Sequence, residues 1–241
     1  MRVKARGAAA LLTVPALLLA AGCGGGTENR PEGKSSGSPG ASTAPGATTP
    51  ARTPLERAAL VQGDLAGYQI SAQAKNPSAP DGQPQADRKA CQPLADVMGD
   101  KPDPAAGETV NRGIGSQKQL GLAVSASLSS YAEADAKRLV DRLREAVAAC
   151  GAGFSATVEK QTGTYTEVRA ADYRVAGDES ISWTTTAAAE GVSAPVHLVV
   201  VRKGSTVVRM MALNVAATGK KAEVPHEVAD KQLEKLAHTA P

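Results

Sequence analysis

The chain has 241 residues, of which 27 are Lys or Arg and 24 are Asp or Glu. Three of the basic residues fall within residues 1–22, which contain no acid, so the remainder carries 24 basic and 24 acidic side chains. A chain with no net charge has no electrostatic attraction to nucleic acid or to an anionic membrane surface. Composition therefore excludes a nucleic-acid-binding protein and fits one globular domain with appendages.

Residues 1–22 have the pattern of a signal peptide. A basic start is followed by an apolar run over residues 8–21, which is too short to span a bilayer. The run ends in Leu-Leu-Ala-Ala-Gly before Cys23 and resembles a bacterial lipobox. We expect cleavage before Cys23 and attachment of fatty acyl chains such as palmitate, which would anchor the chain to the extracytoplasmic face of the cell membrane. The alternative is an ordinary secretory signal next to an incidental cysteine.

Residues 23–54 are predicted to form a tether between this lipidated Cys23 and the domain. Residues 24–53 contain no Leu, Ile, Val or aromatic side chain. Such a segment cannot bury enough apolar area to offset its ordering entropy, so we expect it to be disordered. The Ser, Thr and Pro content is typical of a spacer, and O-glycosylation remains open.

Residues 55–241 are predicted to form a single domain. A capping box over residues 53–56 begins a short helix, residues 71–89 have the composition of an irregular loop, and residues 91–99 fit a second short helix. Strict alternation over residues 120–128 predicts a strand with one buried face. A second capping box, Ser130 with Glu133, begins a predicted long helix that ends at Gly151.

The second half of the domain is rich in strand patterns and ends in a helix that begins at Pro225. Alternating apolar residues and turn signals predict five further strands, at residues 154–158, 165–169, 181–185, 196–202 and 206–215. Runs of strands flanked by separate helices indicate an α+β fold. We expect a mostly antiparallel sheet of five to six strands packed against one long helix, with short N-terminal and C-terminal helices.

Two cysteines remain once Cys23 is assigned to lipid. An even pair in an exported chain is most simply a disulfide, so we expect Cys91 and Cys150 to be joined. The helical spacing places Cys150 on the buried face of the long helix. A redox-active pair, the alternative, would need closely spaced cysteines and an exposed thiol of low pKa.

The order of elements and several short motifs resemble a known family. The motifs are Gly-Asp-Leu-Ala-Gly-Tyr at 63–68, Ala-Cys-Gln-Pro-Leu-Ala at 90–95, Leu-Ser-Ser at 128–130 and Ala-Cys at 149–150. Together they resemble the extracellular sensor domain of the actinobacterial serine/threonine kinase PknH and the lipoproteins that share it. The resemblance implies an α+β fold with a cleft, a role in sensing outside the membrane and a match to that family's first disulfide. The family's second cysteine pair is absent, and no binding residue is carried over.

The sequence contains no catalytic or metal-binding signature. The histidines at 197, 226 and 238 have no metal-ligand spacing, and the motifs of nucleophilic, phosphate-binding and zinc-dependent enzymes are missing. The acidic residues Asp172, Asp178 and Glu179 lie at a predicted turn, where solvation is the simpler interpretation. We therefore expect no enzyme activity, metal or cofactor, although folding could still assemble catalytic groups that sequence spacing does not reveal.

Three residues are candidates for a cleft. Trp183 fits a core position, with cleft lining as the alternative. Arg202 and Arg209 flank the last hairpin, where they could bind an anionic ligand or simply keep the hairpin soluble. The sequence thus favours a monomeric, lipid-anchored binding or sensor module for a small ligand or an envelope protein partner. The alternative is a carrier of lipid or lipoglycan, which would need a large apolar cavity.

Overall fold

A nine-stranded antiparallel sheet forms the centre of the protein. The computed structural model describes residues 52–99, 102–214 and 221–239. The strands are β1 (Tyr68–Gln73), β2 (Gln85–Ala86), β3 (Glu108–Ser116), β4 (Leu122–Ser130), β5 (Phe154–Val158), β6 (Gln161–Ala170), β7 (Glu179–Ala189), β8 (Val192–Lys203) and β9 (Thr206–Asn214). Their order across the sheet is β1-β3-β4-β9-β8-β7-β6-β5-β2.

Four α-helices cover parts of both faces of this sheet. They are α1 (Pro54–Ala58), α2 (Gln92–Met98), α3 (Glu133–Ala149) and α4 (His226–Thr239), and a short 3-10 turn, Lys89–Cys91, precedes α2. Alternate residues of β8 separate the two faces: Val199 and Val201 pack with α1 and α4, whereas Leu198 and Val200 pack with α2 and α3. We call these the α1–α4 face and the α2–α3 face.

The predicted architecture of five to six strands on one long helix is wrong. The sheet has nine strands, helices cover both faces, and the longest helix, α3, has 17 residues and shares its face with α2. The prediction missed β1, β2 and β3. In β3 the buried side chains include Asn111 and Arg112, so the strand has no apolar alternation. Arg112 is tolerated there because its Nε donates to the carbonyl of Leu60 at 2.7 Å.

Several local predictions can be compared directly with the structure. The capping box of α1 is confirmed, since Thr53 and Glu56 bond to each other's backbone amides. The second predicted capping box is wrong, because α3 begins after Ala132 and has no side-chain cap. The strand predicted over residues 120–128 is shifted to Leu122–Ser130, and Leu120 lies in the preceding turn with 82% of its surface exposed.

A disulfide joins Cys91 to Cys150, as predicted. It connects the turn before α2 to the residue that follows α3, and both cysteines are fully buried. The bond therefore holds the two helices of the α2–α3 face against each other. Buried sulfurs of this kind are inaccessible to thiols in solution, which favours the structural interpretation over a redox-active pair.

The predicted signal peptide, Cys23 and the predicted tether up to residue 51 lie outside the described residues. Among the helices that the structure does describe, none is long and apolar enough to cross a membrane.

Candidate functional site

A polar pocket of about 210 Å³ opens on the α2–α3 face, where the helices stop covering the sheet. Strands β3, β4 and β9 form its floor. The apolar side chains of Val97, Leu139 and Val207 form part of its wall. Its polar lining includes two rows of side chains from the sheet and the adjoining turn, namely Thr109, Asn111, Ser127, Ser129, Tyr131 and Arg209. We call this site the polar pocket.

The alternation of β4 explains why this part of the sheet is polar. Leu122, Val124, Ala126 and Leu128 are buried in the apolar cluster of the α1–α4 face. The intervening positions of the strand, Ser125, Ser127 and Ser129, point to the opposite face and are also buried. One strand thus supplies apolar packing to one face and small hydroxyl groups to the other.

Three side chains in one row across the sheet form a chain of hydrogen bonds. The register places Asn111 of β3 opposite Ser127 of β4, and Ser127 opposite Arg209 of β9. Arg209 Nη2 donates to Ser127 Oγ at 2.8 Å, and Ser127 Oγ donates to Asn111 Oδ1 at 2.7 Å. Arg209 Nη1 also donates to the carbonyl oxygens of Val97 and Gly99 at the end of α2. The guanidinium is therefore held in place by both the sheet and α2.

The carboxamide of Asn111 is only partly satisfied by the protein. The residue is 7% exposed, and its Oδ1 accepts the hydrogen bond from Ser127. Within the described ranges its Nδ2 makes no hydrogen bond, although Asn111 lines the polar pocket. This nitrogen is nevertheless accessible from the polar pocket, so an acceptor brought by a ligand would bond to it there.

Hydroxyl groups form the second row of the polar pocket. Thr109 Oγ1 and Ser129 Oγ lie 2.9 Å apart in a hydrogen bond. Burial raises the pKa of the nearby Tyr131 hydroxyl, while its hydrogen bond to Ser129 and the charge of Arg209 act in the opposite direction. Tyr131 therefore presents a protonated hydroxyl at neutral pH.

Of the three residues predicted for a cleft, Arg209 alone is in the polar pocket's lining. Trp183 is 1% exposed and belongs to the apolar cluster of the α2–α3 face, which agrees with the core interpretation. Arg202 pairs with Asp178 at 3.3 Å and with Glu179 at 3.2 Å beside the β8–β9 turn. The structure does not bring these three candidates together.

Sequence reasoning missed Asn111, Ser127 and Ser129. The available signal was the strand at residues 122–130, whose second face carries serine at alternate positions instead of solvent-exposed charges. Small hydroxyl side chains at buried positions need hydrogen-bond partners, so their presence indicates a polar surface inside the protein. Asn111 gave no signal because β3 itself was not predicted.

His197 is buried in the sheet with both ring nitrogens in hydrogen bonds. Its Nδ1 accepts the backbone N–H of Val224 at 3.0 Å, so the ring proton lies on Nε2, which is 2.7 Å from Ser182 Oγ. Burial lowers the pKa of His197, while the charges of Glu223 and His226 act in opposite directions on it. Protonation would direct a second N–H at the Val224 amide.

The pKa shift of His197 predicts a loss of stability in mild acid. The unfolded chain binds a proton on this imidazole near pH 6.5, whereas the folded chain does so only at lower pH. The free energy of unfolding should therefore fall as the pH drops below about 6.5 and level off below the folded pKa. Urea unfolding between about pH 7.5 and pH 5 measures this slope.

Two variants assign that slope to His197. In His197→Leu the imidazole is gone, so the protein should be less stable throughout but should lose less stability on acidification. His238→Gln removes an exposed imidazole from α4 and should retain the wild-type slope. An equal slope in wild type and His197→Leu would contradict the prediction.

In comparisons with known proteins, no family model and no curated protein matches the chain. Among solved structures, it is similar to the extracellular domain of PknH from Mycobacterium tuberculosis, with 12% identity, a TM-score of 0.48, and coverage of 77% of this chain and 94% of that one. It is also similar to a putative uncharacterized protein from Mycobacterium smegmatis, with 11% identity, a TM-score of 0.39, and coverage of 72% and 89%. Likenesses this distant do not bear on a ligand, which must be inferred from the pocket itself.

Proposed function

We propose that the chain is a lipid-anchored, extracytoplasmic, non-catalytic binding or sensor module that holds a small ligand in the polar pocket. The observation that carries the proposal is the Asn111 carboxamide, which is 7% exposed and presents an unpaired Nδ2 among other polar side chains. Export and anchoring rest on the sequence pattern before Cys23.

The chemistry of the polar pocket supports binding. Its described lining offers hydroxyls, a carboxamide, the Arg209 guanidinium and the Lys75 ammonium, which are groups that orient a ligand by hydrogen bonds and charge. Carboxylate, imidazole and thiol groups, the usual bases and nucleophiles of enzymes, are not among the lining residues that the structure describes. A polar site of about 210 Å³ also fits a small molecule better than the acyl chains of a carried lipid.

Native mass spectrometry of the chain, purified gently from the envelope of its own host, tests this proposal. The wild-type protein should carry an additional small mass that is lost on unfolding in organic solvent. Asn111→Leu, which is close to isosteric but has no amide, should carry much less of it. Gln69→Leu removes an amide from an exposed position of β1 and should retain the wild-type occupancy.

Two results would count against this proposal in different ways. Wild-type protein that is free of any bound small molecule, and that is not stabilised against heat by any compound extracted from the same envelopes, would overturn the proposal. An additional mass that survives in Asn111→Leu at wild-type occupancy would place the ligand elsewhere on the protein.

A further inference from the structure

The polar pocket presents more hydrogen-bond donors than acceptors to a ligand. Ser127 Oγ is occupied, since it accepts from Arg209 and donates to Asn111 Oδ1. The same bond occupies Asn111 Oδ1, which leaves the two N–H groups of Nδ2 facing the pocket. The hydroxyl pair of Thr109 and Ser129 is occupied within the protein, because one proton lies between the two oxygens and Ser129 also bonds to Tyr131.

The hydrogen-bond chain also strengthens the Asn111 donor. Arg209 polarises Ser127, and Ser127 in turn withdraws electron density from the Asn111 carbonyl. Chains of hydrogen bonds polarise their members in the same direction, and the effect is larger where little water screens it. The Nδ2 protons therefore carry more positive charge than those of an isolated carboxamide.

The charged side chains among the described lining residues are cations. Arg209 and Lys75 line the polar pocket, and no Asp or Glu occurs among its described lining residues. Both cations have partners of their own: Arg209 bonds to α2 and Ser127, and Lys75 pairs with Asp81. Arg209 therefore acts on a ligand through Ser127 and Asn111, and Asn111 Nδ2 supplies the direct contact.

The remainder of the lining is apolar. Val97 at the end of α2, Leu139 of α3 and Val207 of β9 are each nearly buried and lie beside the donor groups. A ligand that fits both parts has an oxygen group that only accepts hydrogen bonds and a compact carbon body. Inorganic phosphate would accept the hydrogen bonds but would leave the apolar side chains of the pocket in contact with water.

We propose that the polar pocket recognises a small organic carboxylate, with the carboxylate accepting hydrogen bonds from Asn111 Nδ2 and the carbon body against Val97, Leu139 and Val207. This inference rests on the proposed function and deepens it. It specifies the chemical class of the ligand and assigns its recognition to Asn111 Nδ2.

Isothermal titration calorimetry of the full chain with matched acid and amide probes tests the ligand class. The probes are isobutyrate with isobutyramide and benzoate with benzamide, and inorganic phosphate is measured alongside them. Each amide has nearly the shape of its acid but no negative charge. A hydrogen bond to a charged group contributes more than one to a neutral group, so each acid should bind about tenfold or more tightly than its amide.

Asn111→Asp tests the donor directly. The side chain keeps its shape but replaces the two N–H donors with an oxygen, so the acids should lose their advantage over the amides. Ser127→Ala leaves Asn111 in place but removes its link to Arg209, and should weaken acid binding severalfold. This second variant keeps the test valid if Asn111→Asp fails to fold. Gln69→Glu adds the same charge at an exposed site and should bind the acids as wild type does.

Each outcome decides the proposal. Acids and amides that bind equally well would overturn the carboxylate class but leave a small-ligand module in place. Binding of phosphate without either organic acid would replace the class with a phosphoryl group. Failure of every acid to bind would also overturn the class, while native mass spectrometry would still report on the proposed function.

Discussion

Replacing both Cys91 and Cys150 with alanine is expected to lower the free energy of unfolding by about 4 kcal/mol. The disulfide spans a sequence separation of 59 residues, so its loss frees a long loop in the unfolded chain. In the folded chain the bond joins the start of α2 to the end of α3, and both sulfurs are fully buried. Urea unfolding of the double variant beside the wild type measures the difference.

The two single variants serve as controls for the double variant. Cys91→Ala and Cys150→Ala each leave one buried thiol but free the same loop, so their stabilities should lie close to that of the double variant. Wild-type protein unfolded in the presence of a reductant should refold to the same reduced stability. A double variant that unfolds at the wild-type urea concentration would contradict the structural role of the bond.

Replacing Trp183 with alanine is expected to cost about 3 to 5 kcal/mol, which is the usual cost of truncating a fully buried large aromatic side chain. Trp183 is 1% exposed, and its strand neighbours Leu198 and Ala170 hold it between β6 and β8. The alternative for this residue was a place in the cleft lining, and the two roles predict different results. A core residue changes stability, whereas a lining residue changes ligand affinity.

Trp183→Phe separates these roles. It should lower stability by less than the alanine variant does, and it should leave acid binding in the polar pocket unchanged, because Trp183 is not among the residues that line it. Chemical unfolding followed by circular dichroism measures the first effect, since the chain has one tryptophan and loses it in the variants. Calorimetry with isobutyrate measures the second. Unchanged stability together with weaker binding would identify Trp183 as a ligand contact.

The strands that were predictable have either apolar residues at alternate positions or a continuous apolar run. In β8 the six positions 196–201 are buried, and in β9 seven of nine positions are, so both contain apolar runs, and the Lys203-Gly204 turn separates them. The edge strand β1 alternates only over Tyr68 to Ser71, and the polar strand β3 has no such pattern. A strand that is buried through hydrogen bonds, as at Arg112, cannot be distinguished from a loop by hydrophobic periodicity.

The candidate site was predictable only in part. Arg209 was selected because it lies beside the last hairpin, and it does line the polar pocket. Its partner Ser127 lies 82 positions earlier in the chain, and Asn111, which bonds to Ser127, lies 98 positions earlier. Their contact depends on the register of three strands, which sequence spacing does not encode.

By itself the sequence determined the helix begun by the first capping box, the terminal helix, the final hairpin and the pairing of Cys91 with Cys150, because each depends on local patterns or on counting. The tertiary structure decided the number of strands, the coverage of both sheet faces and the position of the polar pocket. These features depend on which strands, distant in sequence, lie side by side. The sequence alone does not distinguish a polar side chain that faces water from one that faces a ligand. The Nδ2 of Asn111 becomes part of a binding site only because β3, β4 and β9 lie side by side in this register.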